Sequence, residues 1–303
     1  MIGVVAHDAG GAEIVSSYLR RNPQPFAACL EGPASGIFAR KFGEVETLTP
    51  EALVGACDWL LCGTSLAADL EWRTMRLART HGKHCVAVLD HWINYRERFV
   101  RHGEECFPEK VWVGDAIALG IARRELSNVE TVLVENPYFL DLREEFAMLP
   151  AESHDPDAGA RILYLCEPLR EGGRILYGNE RYWGYTEEDA LRYFLTHVDY
   201  LAGRIARITV RPHPKEACNK YAWAEQEFAL PIVTGEDKTL LQQIAAADVV
   251  AGCATMAMVV ALIAGKRVVS CIPPGGRAIS LPFPGIESLD ALMLRAVNED
   301  IHR

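Results

Sequence analysis

Apolar residues along this chain come in short runs separated by longer amphipathic stretches. Met1-Ile-Gly-Val-Val-Ala6, Phe26 to Leu30, Trp59 to Cys62, His84 to Leu89, Lys110 to Val113 and Thr131 to Val134 read as strands. Such runs carry little alternation, as expected for parallel strands buried on both faces. Between them lie helical patterns. Ile14, Val15, Tyr18 and Leu19 share a face in a helix over Ala12 to Arg21, and Pro33 to Phe42, Ala67 to His81 and Ala116 to Leu126 read as further helices. The pattern lapses over Leu149 to Gly159, which reads as a linker. It then restarts. Arg161 to Cys166, Ile205 to Val210, Pro231 to Val233, Asp248 to Ala251 and Lys266 to Cys271 read as strands. Glu187 to Leu201, Lys215 to Phe228, Thr239 to Ala246 and Met256 to Ala264 read as helices, while Arg174 to Tyr185 looks irregular. Strands alternating with helices twice over predict an α/β protein of two doubly wound, Rossmann-like domains facing a cleft. The expected division is residues 1–148, residues 160–285, and a terminal helix within 286–303.

Composition adds limits. The 303 residues suit two domains, with half the chain hydrophobic and 24% charged. A net charge of −10 argues against a general nucleic-acid partner, yet leaves room for a local basic pocket. Nine scattered cysteines without a CxxC pair or zinc spacing suggest reduced thiols in the cytoplasm. A strand begins at Met1, so no signal peptide is read, and the longest apolar run is too short for an integral membrane segment. The oligomeric state is left open.

Ligands of open α/β sheets gather at the carboxyl ends of strands, so the strand ends hold the candidate chemistry. Ile208-Thr209-Val210 runs into Arg211-Pro212-His213-Pro214-Lys215-Glu216. The prolines end the strand. Arg211, His213 and Lys215 then suit an anion, most simply a phosphate. Gly252-Cys-Ala-Thr255 leads into a helix, where free N–H groups and the helix dipole from Gly252 to Thr255 also suit a phosphate. Close packing of helix on sheet is the plainer explanation of that turn. The first strand opens onto His7-Asp8-Ala9-Gly10-Gly11, a glycine-rich turn whose His7 and Asp8 stand at a helix start; a turn with no further role is the alternative. Gly63-Thr64 ends the third strand and Glu167 opens the loop after the first strand of the second half. Asp90-His91-Trp92-Ile-Asn-Tyr95-Arg96 supplies aromatic faces, a carboxylate and a cation suited to a sugar, or else a helix start capped by Asp90. Trp72, Trp183 and Tyr185 are further groove candidates for which core packing is the alternative.

The succession Arg-Pro-His-Pro-Lys-Glu, Ala-Asp-Val-Val-Ala-Gly-Cys-Ala-Thr and Gly-Lys-Arg-Val-Val, over roughly residues 205 to 272, resembles the donor half of GT-B glycosyltransferases. It is most similar to bacterial enzymes that use CMP-activated acidic sugars, the sialyl- and Kdo-transferases. Cys253-Ala254 replaces the hydroxyl residues that the second motif usually carries. The resemblance implies a nucleotide-sugar donor, a glycan or small-molecule acceptor, and an acidic base on the first domain, with Asp8 preferred over Asp90 and His7. It implies no metal and no cofactor beyond the nucleotide-sugar substrate. Glycosyl transfer, in a role such as polysaccharide biosynthesis, is the leading reading. A nucleotide-sugar hydrolase or 2-epimerase of the same fold, and a non-catalytic GT-B-like binding protein, are the alternatives.

Overall fold

The computed structural model describes residues 1–150, 156–278 and 280–301. The chain divides into two units, Met1–Asp141 and Leu142–Arg303. The centre of the expected linker, residues 151–155, and the last two residues of the expected terminal helix lie outside the described residues.

Unit 1 holds a six-stranded parallel sheet. Its strands are β1 (Ile2–Ala6), β2 (Phe26–Leu30), β3 (Trp59–Cys62), β4 (His84–Leu89), β7 (Lys110–Val113) and β8 (Glu130–Leu133), in the order β2-β1-β3-β4-β7-β8. A two-stranded hairpin, β5 (Val100–Arg101) and β6 (Glu104–Glu105), lies between β4 and β7 in sequence. The connecting helices are α1 (Ala9–Arg21), α2 (Pro33–Phe42), α3 (Pro50–Ala56), α4 (Leu70–Thr80) and α5 (Ala116–Glu125), and α6 (Pro137–Met148) runs across the boundary into unit 2. Ile2, Val4 and Ala6 pack with Ile14, Val15, Leu19 and Phe38 on one face. Gly3 points the other way, where a Cβ would stand 2.8 Å from Cys57 Sγ, so that face tolerates no side chain there.

Unit 2 repeats the plan. Strands β9 (Ala160–Leu165), β10 (Ile205–Arg211), β11 (Ile232–Thr234), β12 (Val249–Gly252), β13 (Arg267–Ser270) and β14 (Ile286–Ser288) lie in the order β11-β10-β9-β12-β13-β14, all parallel. The helices are α7 (Leu169–Tyr177), α8 (Glu187–Thr196), α9 (Trp223–Glu227), α10 (Leu240–Ala246), α11 (Met256–Ile263) and α12 (Leu289–Ile301). Ile162, Tyr164, Ile208, Val210 and Ala251 pack against Leu191 and Phe194 of α8 and Leu289 of α12. The two doubly wound halves expected from the strand–helix alternation are therefore present.

Several local expectations change. Helix α1 begins at Ala9, so Gly10 and Gly11 lie in its first turn and not in a loop. The stretch expected to be irregular from Arg174 starts inside α7, which Gly178 ends in the left-handed conformation at φ 68°. The helix expected over Lys215 to Phe228 is mostly turns, with α9 only at its end. Glu216 explains this: its carboxylate accepts from the His213 amide at 2.8 Å, from Lys220 Nζ at 2.8 Å and from the Tyr221 hydroxyl at 2.7 Å. Three local bonds to one side chain hold the segment in a compact loop. Among the described residues no helix is long and apolar enough to cross a membrane.

Candidate functional site

In each sheet the strand order reverses at one place, and ligands of open α/β sheets bind at such switch points. In unit 1 it lies between β1 and β3; in unit 2 it lies between β9 and β12.

At the unit 1 switch point the chain keeps side chains away. A Cβ on Gly11 would come within 2.8 Å of Gly63 Cα, so the turns after β1 and β3 meet backbone to backbone. A Cβ on Gly10 would stand 1.8 Å from Asp90 Oδ2. Asp90 thus follows β4 and lies over the first turn of α1. The polar groups gather around that close approach. His7 Nδ1 and Asp8 Oδ1 are 2.7 Å apart. Asp8 is the N-cap of α1 yet makes no side-chain cap bond, so its carboxylate is left to His7 and to solvent. The His7 amide donates to Glu71 Oε1 at 2.8 Å. Glu71 is 2% exposed, its Oε2 has no hydrogen-bond partner among the described residues, and burial pushes its carboxyl up. Arg98, also buried, donates to Asp90 Oδ1 at 2.7 Å and to Thr64 Oγ1 at 3.0 Å. Thr64 Oγ1 in turn donates to the Val88 carbonyl at 3.0 Å. The arrangement fixes Asp90 from behind and leaves its other oxygen toward α1.

The remaining candidates of unit 1 divide. His91 is half-buried, and burial pushes its imidazole down. Its Nδ1 accepts the Trp92 amide at 3.0 Å, which assigns the proton to Nε2. Trp92 and Tyr95 belong to the core, not to an open pocket. Trp92 Nε1 donates to Asp115 Oδ2 at 2.8 Å, and Tyr95 is fully buried. Arg96 is exposed, paired with Glu105 and stacked over Phe107. Trp72 and Tyr185 are buried as well.

Unit 2 treats its switch point differently. Gly252 lets β12 close on β9, since a Cβ there would stand 3.1 Å from the Leu165 carbonyl. Thr255 is the N-cap of α11, its Oγ1 accepting the Ala257 amide at 3.3 Å. The free N–H groups of this turn are turned to Glu167. Its Oε1 accepts the Ala254 amide at 2.7 Å, and the amides of Cys253 and Thr255 also favour its charge. Burial nevertheless outweighs them and pushes Glu167 up to about 7. The protein's own carboxylate thus occupies the anion cradle that the sequence suggests.

Beside it, the loop after β10 presents His213. Its Nδ1 accepts the Lys215 amide at 3.2 Å, so Nε2 carries the proton, and burial pushes the ring below its usual range. A neutral imidazole with a donor N–H suits a phosphate oxygen. Lys215 is exposed. Arg211 is turned into the fold instead: it donates to the Lys238 carbonyl at 3.0 Å and to Gln243 Oε1 at 2.5 Å. It therefore does not stand with His213 and Lys215. Strand alternation explains this, because Arg211 falls on the face of Arg207 and Thr209.

Three groups escaped the sequence reading. Arg98 lies within the polar stretch after β4, but nothing in its spacing marks it as the partner of Asp90. Glu71 reads as one polar position of an amphipathic helix. Glu216 stands in the histidine–proline motif, and only its triple bonding shows that it shapes the loop.

No family model and no curated protein matches the sequence. Solved structures do match in fold. A protein assigned as UDP-N-acetylglucosamine 2-epimerase from Listeria monocytogenes aligns with 98% of this chain and 87% of its own, at a TM-score of 0.61 and 11% identity. MnaA of S. aureus, solved as a co-structure with UDP, aligns with 100% of this chain and 88% of its own, at a TM-score of 0.61 and 9% identity.

Proposed function

We propose that the protein is an enzyme acting on a nucleotide-activated sugar, and that it inverts the sugar at C2 without an acceptor. The observation that carries this reading is the set of titratable groups at the unit 1 switch point. Glycosyl transfer to a hydroxyl asks for one base. Taking the proton from C2 lets its electron pair form a C1=C2 bond and expel the nucleotide from C1; returning a proton to the other face of C2 as the nucleotide adds back to C1 then asks for groups in contrasting states. His7 and Asp8 form a partly exposed pair, whereas Glu71 is buried and inclined to keep its proton. Environments that push neighbouring acids apart mark acid and base roles. Asp90, fixed by Arg98, is a third carboxylate within the same cluster. The likeness in fold to the 2-epimerase and to the UDP-bound protein supports this alternative over glycosyl transfer. Within unit 2 by itself, His213 Nε2–H and Lys215 are groups proposed to suit a phosphate.

The test is incubation with a UDP-N-acetylhexosamine in deuterium oxide, without acceptor, followed by NMR. The expected result is the C2 epimer carrying deuterium at C2. Release of free UDP and reducing sugar alone would identify a hydrolase. No reaction until a sugar acceptor is added, with CMP-activated acidic sugars run in parallel, would return the assignment to a transferase.

A further inference from the structure

Between β9 and β10 the chain makes two helices, α7 and α8. The segment leaves from the carboxyl end of β9 and returns to the same place, because α8 starts beside Arg170, whose amide donates to Glu187 Oε2 at 3.0 Å. Tyr177, Tyr182 and Trp183 lie on this excursion, at the sheet edge where ligands gather. The loop after β13 meets them there. The Arg277 amide donates to the Trp183 carbonyl at 2.9 Å, and Arg277 Nε donates to the Tyr182 carbonyl at 2.6 Å. A Cβ on Gly184 would stand 3.0 Å from the Gly275 carbonyl, so the two loops touch backbone to backbone. Trp183 also packs on the cluster that holds Leu169 and Cys253, which joins this assembly to the turn before α11.

The side chains form an ordered stack. The rings of Tyr177 and Tyr182 have their centres 3.6 Å apart and their planes 8° from parallel. The Arg277 guanidinium carbon lies 4.1 Å from the centre of Tyr182. No guanidinium fits between the two tyrosines, so Arg277 covers the far face of Tyr182. Trp183 stands perpendicular to both rings, 5.1 Å from Tyr182 and 5.9 Å from Tyr177. A ring capping Tyr177 would lie a full layer farther from Tyr182 than from Tyr177, so Trp183 flanks the pair instead. The order is therefore Arg277, Tyr182, Tyr177. Among the described residues no further ring or cation lies over the outer face of Tyr177, and Tyr177 is 44% exposed.

We propose that the outer face of Tyr177 is a stacking platform for the base of a nucleotide ligand. This rests on the reading of the protein as a nucleotide-sugar enzyme, and of such a substrate only the base has a flat π face. A sugar laid on the ring would also need partners for its hydroxyls. The side chains before Tyr177 in α7 are instead Ile175 and Leu176, 66% and 52% exposed, and Gly178 follows. Stacking needs no such partners and tolerates any base. Tyr182, Trp183 and Arg277 act through Tyr177. They hold its ring in place before a ligand arrives, which lowers the ordering cost of binding. His213 and Lys215 follow β10, the strand next to β9, at the same carboxyl edge.

The experiment is a calorimetric titration of the full chain with uridine, cytidine, adenosine and guanosine diphosphates, and with inorganic pyrophosphate, which has the phosphates and no base. At least one nucleotide should bind more tightly than pyrophosphate. Tyr177→Leu, at an exposed position, should weaken that nucleotide roughly 5–150-fold and leave pyrophosphate unchanged. Tyr177→Phe, which keeps the ring, should match the parent. The proposal is overturned if no nucleotide binds more tightly than pyrophosphate, if Tyr177→Leu binds it as the parent does or weakens pyrophosphate equally, or if Tyr177→Phe fails as Tyr177→Leu does. N-acetylglucosamine binding that Tyr177→Leu loses, with the nucleotide unaffected, would also overturn it and make this face a saccharide site. Turnover of a UDP-N-acetylhexosamine is read separately. Epimerisation with an unchanged KM in Tyr177→Leu overturns the platform and leaves the enzyme reading. Base-dependent binding without epimerisation does the reverse.

Discussion

The two switch points have the same topology and opposite contents. In unit 1 the turns after β1 and β3 meet through Gly11 and Gly63, and His7, Asp8, Glu71 and Asp90 lie around that meeting point. In unit 2 the turn after β12 is closed by Glu167, whose carboxylate takes the Ala254 amide. One end packs titratable groups around a close backbone approach. The other spends its helix N-terminus on a carboxyl group of its own. The difference teaches that a small-residue turn into a helix is only a possible anion site. What decides is whether a side chain of the same fold arrives there first.

The sharpest way to break this contrast is to neutralise the carboxylates of unit 1. Asp8→Asn and Asp90→Asn keep size and hydrogen-bonding shape but cannot accept a proton. Acid–base groups contribute about 10²–10⁴ in rate. Each variant should therefore lose at least 10²-fold in kcat with UDP-N-acetylhexosamine, with melting temperature little changed for the half-exposed Asp8. Undiminished turnover in both variants would remove unit 1 as the seat of the chemistry.

A smaller effect tests the close packing of Gly10 on Asp90. Gly10→Ala adds one methyl in the first turn of α1. On propensity alone the change favours the helix by about 1 kcal/mol. The added Cβ would stand 1.8 Å from Asp90 Oδ2 and 2.7 Å from its Cγ, so Asp90 must move and its bond from Arg98 to Oδ1 is disturbed. Overpacking of this kind costs typically 1–3 kcal/mol. Net destabilisation of about 0–2 kcal/mol in urea unfolding, with activity reduced tenfold or more, is expected. A variant more stable than the parent and fully active would show that Asp90 has no fixed position to lose.

Much of this architecture is legible in the sequence, and for a physical reason. Strands β2, β3, β4 and β7 begin and end where short apolar runs do, because a parallel strand buried on both faces has nowhere to place a polar residue. Helix α7 escapes because Gly172 and Gly173 resemble a loop, and only its packing and the Gly178 cap define it. The site is less legible. Arg211 and His213 are two residues apart in one motif, yet one is turned to Gln243 and the other presents an imidazole beyond the strand end. The period of two along β10 puts Arg211 on the face of Arg207 and Thr209, and because the strand ends there His213 is released from that period. Trp92 and Tyr95 look like a sugar platform in sequence, but an aromatic ring has more apolar area to bury than anything else nearby, and both went to the core. The partnership of Arg98 with Asp90 and Thr64 depends on a loop returning across strand ends, which no local pattern encodes.

The smallest effect concerns the closed end, and its sign follows from burial. Glu167 ordinarily titrates near 4.5 and is held at about 7 in the fold. The native state therefore binds this proton more tightly than the unfolded chain. The resulting stabilisation is complete below about pH 4.5, fades as pH rises, and is lost above about pH 7. Glu167→Gln keeps an oxygen to accept the Ala254 amide and never ionises. The variant should gain stability relative to the parent as pH rises from 4.5 to 7, by a total on the order of 1–3 kcal/mol, and the gain should level off above that window. Thermal melts at half-unit pH steps would measure it. A difference that stays constant with pH would mean that the helix N-terminus already carries the carboxylate in its charged form at acid pH. The closed end of unit 2 would then be a permanent anion in a permanent cradle, and its contrast with the cluster of titratable groups in unit 1 would be stronger still.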